Sequence, residues 1–88
     1  MLSDSTLVES VKRGQSSAFS QLVSRYQHVA MAIALRTVKD RHLAEDVVQE
    51  SFLLAYQHLK SLTNGSKFGP WLMRITRRQA IRVEQFRT

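Results

Sequence analysis

The sequence predicts an all-α protein, a compact bundle of three long helices plus a short N-terminal helix, on three observations. Breakers are scarce: 88 residues carry one Pro and three Gly, a composition that favours long helices over a strand-rich fold. Apolar residues recur at helical spacing, most clearly Phe19, Leu22, Val23, Tyr26, Val29, Ala30, Ile33 and Val38, over about five turns. Small polar residues that cap helices stand where those periodic runs begin. Apolar residues make up 43% of the chain, enough for one modest core, so residues 1–88 read as a single domain.

Taken in order, the first helix covers roughly residues 6–13, preceded by a Ser/Thr/Asp cluster and stopped by Gly14. The second follows Ser16 and Ser17 and carries the long periodic run. Asp40 is the natural cap for a third helix over residues 41–62. Residues 63–69, "TNGSKFG", read as a loop. Pro70 suits the first turn of a fourth helix that runs to about residue 86. Neither an internal repeat nor a linker interrupts this order.

Composition narrows the function. With no cysteine, a disulfide scaffold and a Cys-based zinc site are excluded, and a reducing cytoplasmic location fits. The longest apolar stretch, residues 29–35, is far short of the ~20 residues a membrane span needs, and the N-terminus lacks the pattern of a signal peptide. His28, His42 and His58 have no partner at metal-ligand spacing. No paired carboxylates or Gly-rich phosphate loop occur, so neither an enzyme nor a metal or cofactor site is expected. The net charge of +6 is concentrated: residues 1–62 hold seven Lys/Arg against six Asp/Glu, whereas residues 63–88 hold six against Glu84 alone. A basic block beside a balanced body is the electrostatic footprint expected of nucleic-acid binding, and on charge alone it also fits an anionic membrane or an acidic protein partner.

The acids are concentrated as well. At 100° per residue, Ala44, Val47, Val48, Ser51, Ala55 and Leu59 share the core side of the third helix. Glu45, Asp46, Gln49 and Glu50 fall opposite, within an arc of ~140° with Leu53 in its middle. Phe52 and Tyr56 border it. Such an arc is either a solvated face or a docking surface for a basic partner, where an exposed Leu among acids and a Gln suits a binding hot spot.

On the fourth helix Leu72, Ile75, Val83 and Phe86 make the expected core stripe, with Arg74, Arg77 and Arg78 on the far side and Trp71 and Arg82 near the edge. Gln79 falls inside the stripe without explanation. The preceding loop offers Thr63, Asn64, Ser66 and Lys67. Hydroxyls and an amide read base edges, aromatics stack on bases, and arginines hold phosphates. Phe68 and Trp71 fit either of two roles, closing the core or stacking on an unpaired base.

These residues resemble a known family. "AEDVVQESFLLAY" followed by Phe68, Trp71, Leu72, Arg74 and Ile75 is similar to region 2 of bacterial RNA polymerase sigma factors of the extracytoplasmic-function type, and "VKRGQSSAFSQLVSRY" is similar to that family's opening region. The resemblance implies a sigma region-2 fold and a transcription-initiation role. Asp46, Gln49 and Glu50, to which the helical wheel adds Leu53, would dock on the β′ clamp helices of core RNA polymerase. Thr63, Asn64, Ser66, Lys67 and Phe68, with Trp71, Arg74, Arg77 and Arg78, would hold the non-template strand of the promoter −10 element. The resemblance also implies an anti-sigma factor as a further partner. The family's C-terminal DNA-reading domain does not follow residue 88 here, which reads as a piece of a longer factor or, in the alternative, a stand-alone domain. Gly69–Pro70 and the cations Arg78 and Arg82 depart from the family's pattern. A second reading keeps the polymerase or anti-sigma contact and drops sequence-specific DNA binding.

Overall fold

In a computed structural model, which describes residues 1–87, helix α1 spans Asp4–Lys12, α2 Ala18–Val38, α3 Arg41–Gln57 and α4 Phe68–Arg87, with short 3₁₀ turns at Leu59–Ser61 and Gly65–Lys67. The local signals behave as expected of them. Ser3 Oγ accepts the Thr6 N–H at 3.1 Å and starts α1; Gly14 takes φ +102° just past its end, where a side chain would be strained. Lys39, at φ 60°, turns the chain out of α2, and Asp40 Oδ1 at once accepts the Leu43 N–H at 3.1 Å to open α3.

Helices α2, α3 and α4 pack on one another, and α1 lies across α2 and the Gly65–Lys67 turn. At one end the core is aromatic: Phe19, Phe52 and Phe68 meet edge to face, with Phe19–Phe52 centroids 6.3 Å and Phe19–Phe68 centroids 6.2 Å apart. At the other end Ala34, Val38, Ala44, Val47 and Ala80 form a narrower core, where small side chains let the helix backbones approach. Among the described residues the two buried hydroxyls, Ser51 and Thr76, donate to Val47 O at 2.7 Å and Leu72 O at 3.0 Å, so neither is left unpaired.

Three expectations need correction. Helix α3 ends at Gln57 rather than at residue 62. Beyond it the chain tightens into a 3₁₀ turn in which Ser61 Oγ donates to His58 O at 2.7 Å, a side-chain bond that competes with helix continuation. Leu59 and Leu62 still reach the core, so their apolar spacing was compatible with either path. Helix α4 opens at Phe68, which removes Phe68 and Gly69 from the loop and leaves Pro70 in the first turn. The buried stripe of α4 is Leu72, Met73, Thr76 and Ala80, with Ile75 and Val83 half-buried and Phe86 87% exposed. Phe86 stands roughly 95° around the helix from the centre of that buried set, outside the ground that α2 and α3 cover.

Candidate nucleic-acid and polymerase interface

On α3 the core face is as expected, Val48 being half-buried and Phe52 turned fully inward, while Tyr56 packs its edge on Phe19 at 5.2 Å and keeps 44% of its surface exposed. Glu45, Asp46, Gln49 and Glu50 are all exposed, and Leu53 exposes 49% of its surface between them. Glu45 has a weak local partner in His42 at 3.7 Å. Among the described residues Asp46 and Glu50 have no ion-pair partner. The arc's α2 side continues into a shallow groove lined by Gln27, His28, Met31, Glu45 and Gln49, with Arg41 also at its wall. Clustered like charges cost a helix a few tenths of a kcal/mol per pair, a cost that an external cation relieves.

The loop is held by its own polar groups. Asn64 Oδ1 accepts both the Ser66 N–H at 3.0 Å and the Ser66 hydroxyl at 2.6 Å, which caps the following 3₁₀ turn. The Asn64 oxygen is thereby committed, and its NH₂ remains to donate to a base edge, while the hydroxyl oxygens of Thr63 and Ser66 remain acceptors. Thr63, Asn64, Ser66 and Lys67 are all exposed.

Phe68 is a correction. Its ring is fully buried, enclosed by Phe19, Tyr26 and Trp71, so it closes the core and offers no face to a base. Trp71 is half-buried: it leans on Phe68 at 6.0 Å and presents the remainder of its indole to a groove. A Cβ at Gly69 would lie 3.0 Å from the Tyr26 ring, so at this position α4 packs closely on Tyr26.

Arg74, Arg77 and Arg78 are exposed along α4. The groove between this helix and the end of α3, about 300 Å³, joins Trp71, Arg78 and Ile75 to His58, Gln79 and Arg82. Sequence reasoning left out His58 as a binding residue and had no role for Gln79. The rotation of α4 supplies one, since Gln79 sits roughly 75° from the centre of the buried face and so reaches the groove's edge. The lining holds two guanidiniums, an imidazole, an amide and an indole with no carboxylate, a set suited to a phosphodiester with its base.

Among the described residues no group of three or more His, Cys, Asp or Glu is placed to hold a metal, and no helix is long and apolar enough to cross a membrane.

Residues 22–87 match the family described as Sigma-70 region 2, and the chain belongs to that family. It is similar to the RNA polymerase sigma-H factor of Pseudomonas aeruginosa, 44% identical over 72 residues that cover 82% of this chain and 37% of that one. It is similar also to the ECF RNA polymerase sigma-E factors of Haemophilus influenzae (46% over 74 residues, 84% and 39%) and Escherichia coli strain K12 (45% over 74 residues, 84% and 38%). The type is therefore extracytoplasmic-function, and these relatives are transcription factors rather than enzymes. The chain spans less than two fifths of the length of the curated relatives it matches.

Proposed function

We propose that this domain joins core RNA polymerase to an opened promoter: the arc of Asp46, Gln49, Glu50 and Leu53 docks on the β′ clamp helices, and the loop with the basic face of α4 holds the non-template strand of the −10 element. The observation that carries the reading is the segregation of charge on the folded molecule. The acidic arc borders α2 only along its Glu45–Gln49 edge, beside Gln27, His28 and Arg41, and leaves Asp46, Glu50 and Leu53 exposed. Arg78 and Arg82 instead open on the other flank of α3, beside Leu54 and His58. One partner is basic and the other anionic, and both engage without crossing. Thr63, Asn64, Ser66 and Lys67 meet bases, Arg74 and Arg77 meet phosphates, and Arg78 works with Trp71, Gln79, Arg82 and His58 in the groove.

The test has two arms. Glu50→Arg should abolish co-purification with core polymerase at unchanged helicity, and intact co-purification would remove the docking claim. Binding to single-stranded −10-like oligonucleotides should exceed binding to scrambled ones and weaken steeply with salt. Indifference to sequence with a flat salt dependence would instead favour a domain that contacts only proteins.

A further inference from the structure

We propose that α1 acts as the jig that sets the shape of the base-reading loop, with Lys12 as its positioning residue; the inference rests on the loop's role proposed above. The family match begins at Leu22, so α1 lies outside it, yet α1 reaches the loop at its entrance, its middle and, through one side chain, its exit. At the entrance Lys12 Nζ donates to Leu62 O at 2.6 Å, across 50 residues of sequence. In the middle, Gly65 is buried against α1: a Cβ there would lie 3.0 Å from Ser5 Cα and 3.2 Å from Val8 Cβ. At the exit Gly69 rests on the Tyr26 ring, whose hydroxyl donates to Asp4 Oδ2 in the first turn of α1. Leu7 and Val8 are fully buried beneath this arrangement.

Between these anchors, among the described residues, the exposed side chains bond only locally, Asn64 with Ser66. The turn runs directly into α4 at Phe68 and packs on both α4 and α1, so the place of these groups is set by the α4 junction on one side and by α1 on the other. A base edge is read over hydrogen bonds of about 2.7–3.2 Å with a steep angular dependence, whereas long Arg and Lys side chains follow a phosphate through small displacements. Releasing the loop from α1 should thus remove sequence preference and spare overall affinity.

The experiment uses the 88-residue chain and a randomised pool of single-stranded 12-mers, from which the wild type selects a preferred sequence; affinities for that oligonucleotide and a scrambled one give a preference ratio. Lys12→Met keeps the side chain's length and removes its donor. It should lower the ratio roughly fivefold or more while the thermal midpoint and polymerase co-purification stay near wild type, and Lys12→Arg, which keeps a donor, should retain the ratio. Gly65→Ala, which pushes the loop off α1 without removing a hydrogen-bonding group, should lower the ratio likewise and carries the test if Lys12→Met loses helicity. A preference in the wild type that survives in the folded variant overturns the inference alone. A wild type without preference overturns the base-reading role of the loop, and the inference with it.

Discussion

Tyr26→Phe separates the tie between α1 and α2 from everything else in the fold. Asp4 receives two donors from α2, Arg25 Nη1 at 2.6 Å and the Tyr26 hydroxyl. The substitution deletes one oxygen, leaves the ring against Phe68 and Gly69, and leaves Asp4 paired with Arg25, so no buried charge is orphaned. A hydrogen bond to a charged group contributes about 1.5–3 kcal/mol, and solvent at this half-buried site reduces the expected loss to about 1–2 kcal/mol. The sign with pH follows from the phenol. Burial first, then the hydrogen bond to Asp4 and the nearby carboxylate charge, push its pKa from the ordinary 10.0 up to about 12. The folded state thus favours the neutral phenol. Its contribution is whole below pH 10, where the unfolded chain also keeps its proton, and is lost as pH rises through about 12. Urea unfolding followed by far-ultraviolet circular dichroism, at pH 7 and in steps above pH 10, measures the gap between wild type and variant. Titration of lysines is common to both chains and cancels in that difference. A gap that is absent at pH 7, or that persists undiminished to pH 12, would refute the reasoning.

Phe68→Ala should cost about 3–5 kcal/mol and leave little folded protein at 37 °C, because the ring is fully enclosed and its loss opens a cavity; a thermal melt close to wild type would return Phe68 to the surface. Arg74→Ala and Arg77→Ala, at exposed positions, should weaken binding to preferred and scrambled oligonucleotides alike and each lower the salt slope by roughly one, as read from titrations at several salt concentrations. Arg87→Met removes the guanidinium that donates to Val38 O at 2.5 Å and should lower stability by about 1 kcal/mol in urea unfolding, through loosening of the α2–α4 end rather than loss of the binding faces.

Much of the candidate site was legible because it depends on one helix at a time. Glu45, Asp46, Gln49 and Glu50 share an arc wherever residues 41–57 are helical, and the apolar residues opposite them fix which way the arc faces. Phe68 was not legible in that way. An aromatic beside basic and polar residues has the same local appearance whether it stacks on a base or fills a core, and only the positions of Phe19 and Tyr26, dozens of residues earlier, select the second. The core stripe of α4 misled for a related reason. Leu72, Ile75, Val83 and Phe86 are its larger apolar side chains, whereas the close approach of α2 and α3 buries Met73, Thr76 and Ala80. With that rotation Gln79 passes from an unexplained core position to the rim of the groove.

By itself the chain determines four helices, the caps that open α1 and α3, and the sign of charge that α3 and α4 carry, since these follow from capping, from side-chain period and from composition within short windows. Tertiary structure alone decided that Phe68 lies inside, that His58 lines one groove with Arg78, Gln79 and Arg82, and that Lys12 and Gly65 bring α1 to the loop. Those outcomes depend on how helices cross and on contacts between residues far apart in sequence, and packing of that kind leaves no periodic trace in the residues it joins.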